Sequence, residues 1–210
     1  MKNLLKIVVC TLVWMNVAHA EVVAPDALIN TTVQEVIAIV KQDKDIQAGN
    51  QKKILALVDA KVLPHFDFSR MTQLAMGKSW RLATPEQKQL LVTQFRDMLV
   101  RTYTKAFTVY RDQTVEVKPL SISPDATEAT VKTLIIKPGA QSIPVDYEMK
   151  KFADGWKAFD VSIEGVSMVM SYRGTFDAEV QKNGVDGVIK MLSDSNAGAA
   201  SASLKKAAAK

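Results

Sequence analysis

Few side chains in this sequence have the types and spacing that do chemistry, and the most reactive ones fall where they are expected to be lost. The 210-residue chain has one cysteine, Cys10, and two histidines, His19 and His65. Cys10 and His19 lie in a leader pattern. Lys2 and Lys6 give a positive start, residues 7–17 an apolar run, and Ala18-His19-Ala20 a small-x-small cleavage site. The run is shorter than the ~20 apolar residues of a membrane helix, and Glu21, Pro25 and Asp26 follow it. Bulky Ile7, Val8 and Val9 before Cys10 are unlike a lipoprotein cysteine. Residues 1–20 are therefore expected to be a signal peptide that sends the rest of the chain to the periplasm. Cleavage would leave no thiol for a nucleophile, a disulfide or a metal thiolate, and a single imidazole.

A Ser–His–Asp arrangement would have to be built on His65, in Leu63-Pro64-His65-Phe66-Asp67, which reads as a helix-end loop. Gly165-Val166-Ser167-Met168-Val169 lacks the second glycine of a nucleophile elbow. Gly184-Val185-Asp186-Gly187 lacks both the spacing and the lysine of a phosphate-binding loop, and reads as a helix boundary. Asp67, Asp160 and Glu164 are carboxylates that a lone acid–base enzyme could use. Asp160 is expected to face solvent opposite Phe159 and Val161, and Glu164 to steady the turn at Gly165. The expectation is no catalytic residue, no cofactor and no metal site.

Charge excludes another class. The chain has 27 basic and 22 acidic residues, a formal net charge of +5. Lys2 and Lys6 sit in the leader, and Lys205, Lys206 and Lys210 in an Ala/Ser/Lys tail. The body between them is near neutral, so no nucleic-acid partner is expected, since such a partner calls for basic charge on the fold itself.

The elements that would position any site divide near residue 114. Before it, apolar residues recur at helical spacing. One helix is expected over residues 25 to about 43, with Ile29, Val33, Val36, Ile37 and Val40 as its stripe, and another over 50 to about 63. A short one covers 67–76 and stops at Gly77. The best-signalled helix starts at Thr84-Pro85-Glu86-Gln87, a capping box with proline in the first turn, and runs to about Tyr110. Beyond 114 the pattern alternates, with turns at 123–126, 137–140 and 153–156, which predicts a four-stranded antiparallel meander with an apolar face toward the helices. Phe159, Val161 and Ile163 are placed on that face, against Ala158, Asp160 and Ser162. A helix is expected from 166 to about 182 and a last one over about 185–192. The fold class is α+β, with a single domain over 21–192 and a disordered tail over 193–210. Met71, Met76, Met98, Met149, Met168, Met170 and Met191 add adaptable apolar volume, as at surfaces that bind varied apolar ligands.

The run Trp156-Lys157-Ala158-Phe159-Asp160-Val161-Ser162-Ile163-Glu164-Gly165-Val166-Ser167-Met168, followed by Tyr172-Arg173 and Phe176, resembles the signature of the MlaC, or toluene-tolerance, family of periplasmic phospholipid carriers. Other pieces resemble it in order: Leu63-Pro64-His65-Phe66-Asp67-Phe68 before Met71, Ala75, Gly77 and Trp80; the Thr84 capping box before Phe95, Leu99 and Tyr103; and Gly184-Val185-Asp186-Gly187-Val188-Ile189. The resemblance covers about residues 25–192. It implies a nuclear-transport-factor-like cone holding acyl chains between a curved sheet and the helices, without cofactor or catalysis. It also implies two partners, an inner-membrane ABC permease complex and an outer-membrane lipoprotein–porin complex, between which phospholipid is shuttled. From the matched segments it carries over Tyr103 and Val166 as lipid-binding residues. Positions expected to face inward extend the set to Met98, Leu99, Phe107, Tyr110, Ile135, Val145, Tyr147, Met149, Phe159, Val161 and Met168. A chaperone for apolar polypeptide and an enzyme on an apolar substrate are the other classes that this pattern leaves open.

Overall fold

The computed structural model describes residues 22–104 and 113–208. The leader 1–20, and Phe107 and Tyr110 at the expected end of the long helix, lie outside the described residues. Helix α1 (Pro25–Gln42) opens on proline, whose missing N–H costs nothing in a first turn, and buries Ile29, Val36 and Val40. Asp43 then caps the short α2 (Lys44–Gln47), and the Asn50 side chain accepts from the Lys53 N–H to start α3 (Gln51–Lys61). Val36, Val40, Ile46, Ile54 and Leu57 close these helices on one another.

A second helical layer follows. Helix α4 (Phe68–Met76) is capped by Asp67 and stops at Gly77, and a 3-10 turn leads to α5 (Pro85–Tyr103). The capping box at Thr84 and Gln87 forms as its spacing predicts, with bonds of 3.0 and 3.2 Å. Helix α6 (Arg173–Ala208) lies against α5 and breaks at Gly184, where φ is 71°. That break falls where the sequence ends one helix near residue 182 and starts the next at 185. Leu91, Phe95 and Leu99 of α5, Met71 and Met76 of α4, and Phe176, Val188 and Leu192 of α6 form the largest core cluster. Its centre is aromatic, with Phe95 edge-on to both Tyr172 (5.3 Å) and Phe176 (5.2 Å). The helix continues to Ala208 in place of the disordered tail expected after Leu192; alanine, the strongest helix former, is frequent there.

The sheet is an antiparallel meander of five strands in sequence order: β1 (Thr114–Val117), β2 (Glu128–Ile136), β3 (Ile143–Phe152), β4 (Gly155–Ile163) and β5 (Val166–Ser167). The expected helix from residue 166 is replaced at its start by the fifth strand. Glu164 and Gly165 both have positive φ, 51° and 80°, which makes a two-residue type I′ hairpin turn that pairs Val166 with Ile163. The last helix therefore begins only at Arg173.

A bulge in β4 corrects the expected alternation. Glu148 pairs with Asp160 and Met149 with Ala158, so Phe159 is the extra, unpaired residue. Ala158 thereby joins Val161 and Ile163 on the inner face, and the Phe159 ring takes the Arg70 guanidinium at 4.0 Å. Asp160, expected in solvent, is 7% exposed. Its carboxylate accepts from the Val161 N–H (2.8 Å), the Val169 N–H (3.2 Å) and the Ser167 hydroxyl. A charge can be buried because those donors replace water.

Two predictions follow from these joints. Gly77 has φ +54°, and a Cβ placed on it would stand 2.8 Å from Arg173 Nε. Gly77→Ala is expected to cost roughly 1–3 kcal/mol in a urea melt; a cost near zero would mean that the α4–α6 joint has slack. The second concerns His65, in the 3-10 turn Leu63–His65. Burial holds its imidazole below the usual 6.5, with Glu35 pulling the other way. As pH falls, the unfolded chain binds this proton first, so the stability present above 6.5 declines on acidification through that value. His65→Gln should flatten the change in unfolding midpoint between about pH 7.5 and 5.5; an unchanged slope would assign the effect to other groups.

Candidate functional site

The sheet register assembles one long apolar surface. From β1 to β5 the inner face carries Val117; Val131, Thr133 and Ile135; Ile143, Val145, Tyr147 and Met149; Ala158, Val161 and Ile163; and Val166. Two of these are polar. Thr133 Oγ1 donates to the Val145 carbonyl at 2.8 Å. Burial pushes the Tyr147 phenol up, with Thr133 opposing, so it stays neutral.

Coverage of this surface changes along its length. At one end Ile29 of α1 packs with Val131, Met149, Trp156 and Ala158 in a closed cluster. In the middle Val145 and Val161 are buried, yet stand outside the three core clusters of the described residues. At the other end the wall opens. Ile135 and Ile163 are half-buried, Ile143 is 38% exposed and Val166 65%. Met170, also 38% exposed, stands in the 3-10 turn just after β5. Large aliphatic side chains on neighbouring strands are thus left in solvent beside a buried apolar stretch, which is unusual for a closed core.

The residues expected to line a cavity separate into groups. Ile135, Val145, Tyr147, Met149 and Val161 share the inner face, with Met149 inside the closed cluster. Phe159 leaves that face at the bulge. Leu99 is buried in the helical cluster, where Met98 and Tyr103 also pack, because the apolar side of α5 is spent largely on α4 and α6. The Tyr172 phenol is pushed up by burial and by the neighbouring Tyr103. Val166 lies on the open rim, and Met168 is half-buried after β5, its N–H donating to Val161 O at 2.8 Å. Sequence reasoning missed Ile143 and Ile163 as members of the open end. Their signal was there, since each precedes or follows a turn on the inward phase of its strand.

Other features offer no competing site. An open depression of about 520 Å³ lies beside Ile39, Gln42, Asp43, Lys44, Asp45 and Lys53. Its charges neutralise one another, with Lys53 at 2.9 Å from Asp43 and 2.8 Å from Asp45. Among the described residues, no group of three His, Cys, Asp or Glu side chains could hold a metal ion. None of the described helices is long and apolar enough to cross a membrane.

Comparison with known proteins gives this geometry a family. The toluene tolerance protein ttg2D of Pseudomonas putida is 24% identical over 163 residues, 77% of this chain and 75% of that one. The intermembrane phospholipid transport system binding protein MlaC of Haemophilus influenzae is 24% identical over 161 residues, 72% of this chain and 75% of its own. Among solved structures, a phospholipid-binding protein from Ralstonia solanacearum in complex with a phospholipid is 37% identical. It matches with a TM-score of 0.78 over 85% of this chain and 99% of that one. The family model described as MlaC protein matches residues 30–194, nearly the whole described fold, and the chain belongs to the MlaC family.

Proposed function

We propose that the protein is a periplasmic phospholipid carrier. It takes up glycerophospholipid with the acyl chains against the inner sheet face, and shuttles it between an outer-membrane lipoprotein–porin complex and an inner-membrane ABC permease. The observation that carries this reading is the gradient along the inner face: closed by α1 at one end, buried in the middle, open at Ile143 and Val166. A relative 37% identical is a phospholipid-binding protein solved with a phospholipid, which supports the same ligand here. The leader pattern of residues 1–20 supports the compartment.

The energetics explain what such a site has to do. An acyl chain of about 16 carbons in water costs ~0.8 kcal/mol per methylene, or ~13 kcal/mol per chain. A carrier must hide that hydrocarbon and leave the charged head group wet. A continuous, largely aliphatic wall serves this end: it offers burial and few competing polar groups. Nothing in the task asks for bond making, and the protein acts as a binder without catalysis, cofactor or metal.

The direct test is organic extraction of the purified mature protein followed by lipid mass spectrometry. Stoichiometric phospholipid is expected; an empty extract, or a co-purified apolar peptide, would defeat the proposal. A paired substitution locates the site. Val161→Glu puts a carboxylate where a cavity can hydrate it, and should leave a folded protein that has lost its phospholipid. Leu91→Glu puts the same group into the helical core, where an unpaired charge costs several kcal/mol, and should unfold the protein. Equal unfolding by both variants would make Val161 ordinary core.

A further inference from the structure

The segment that borders the open end is held in an unusual way. Strand β5 has two residues and pairs with β4 alone, at Ser162–Ser167 and Ile163–Val166. Its turn has Glu164 and Gly165 both at positive φ. Behind it the chain is anchored again at Tyr172, whose ring packs on Phe95 and Phe176. Between the two anchors, residues 164–170 carry Val166 and Met170 in solvent beside the apolar face. The tie that holds this stretch down converges on Asp160. Its carboxylate accepts from Ser167 Oγ and from Val169 N, and Ser167 Oγ in turn accepts from Met170 N at 2.9 Å.

We propose that strand β5 and the turn after it, residues 164–170, form a flap over the open end of the apolar face, latched to β4 by Asp160, and that phospholipid enters and leaves when the latch releases. This rests on the carrier reading above. The chemistry of the latch suits a reversible device. All donors to Asp160 in the described structure are uncharged, so release trades two neutral donors for water around the carboxylate, with no salt bridge to break. Closing the flap lays Val166, on the inner phase of its strand, over the hydrocarbon. Opening it widens the gap at Ile143 and Ile163. Asp160 is a positioning residue in this scheme, acting on the ligand through the flap.

Cross-linking the flap tests the idea in the intact protein. Ser162 and Ser167 are direct partners across β4 and β5. Flanked by the paired Ile163–Val166 and by the Met168-to-Val161 bond, they occupy the narrow position of the ladder. There Cα atoms stand about 4.5 Å apart, within the span of a disulfide. The sole native cysteine is in the leader, so Ser162→Cys with Ser167→Cys gives the mature chain one possible disulfide. The readout is transfer of a pyrene-labelled phospholipid between phosphatidylethanolamine–phosphatidylglycerol vesicles, with bound lipid measured by extraction alongside. The oxidised variant should retain its lipid and transfer at least about tenfold more slowly than its reduced form, the factor expected for preventing release of one strong hydrogen bond. Reduced, without the Ser167 hydroxyl, it should transfer faster than the unmodified protein. Ser167→Ala should do the same, folded but with a Tm lowered by a few degrees, since it leaves Asp160 Oδ2 short of a donor. Equal rates in the oxidised and reduced forms, with lipid still bound, would overturn the flap and leave the carrier reading standing. Absence of lipid from the unmodified protein would overturn both.

Discussion

An apolar sheet face in water collapses onto the nearest apolar surface, and the structure depends on letting that happen at one end only. Two separate devices keep the helices from closing over the rest. The α1 stripe divides its apolar residues between the sheet, through Ile29, and α3, through Val36 and Val40, so it reaches only part of the inner face. The α5 face is saturated by α4 and α6, with Leu91, Phe95 and Leu99 buried among Met71, Phe176 and Val188. Once each described helix has satisfied its stripe elsewhere, little apolar surface of the described helices remains to cover Ile143 and Val166. The unspent burial energy of those side chains is then available to a ligand; at about 25 cal/mol per Å² even a few exposed aliphatic residues represent a sizeable term.

That division also explains which parts of the molecule are legible in the sequence. Local chemistry reports local structure, so the Thr84 capping box, the stop at Gly77, the break at Gly184 and the turns at 123–126 and 137–140 are readable from residue types alone. Alternation identifies the inner face of β3 correctly, from Val145 through Tyr147 to Met149. Periodicity names an apolar face, however, and is silent about its partner. Leu99 and Met98 lie on the predicted stripe of α5, but the stripe meets helices where sequence reasoning pointed it at the sheet.

The errors in β4 and β5 have one shared cause. A single extra residue, Phe159, reverses the phase of everything on one side of it, moving Ala158 inward. Aromatic and β-branched residues fit a strand on either phase, so composition carries no trace of the bulge. Asp160 looked like a solvent-facing residue because an acid between apolar neighbours normally is. Its burial is made possible by Ser167 and Val169, which arrive from a strand that the Glu164-Gly165 turn creates. The dipeptide reads equally well as a strand-to-helix junction, and only the positive φ of Glu164 separates the two.

A buried carboxylate beside a serine is also where an enzyme reading would start, and the contacts of Asp160 argue against it. A general base needs a lone pair aimed at substrate and a proton path. Here Oδ1 is taken by two backbone N–H groups and Oδ2 by the Ser167 hydroxyl, which is itself an acceptor for Met170 N. His65, the one imidazole among the described residues, stands beside Glu35, in a turn whose neighbour Phe66 bridges to Ala158. Two of these contacts, from Ser167 and Val169, tie strand β5 and the turn after it to the bulge. In this molecule the carboxylate shapes the rim of an apolar surface, and the geometry that a catalytic acid would need is spent on holding backbone in place.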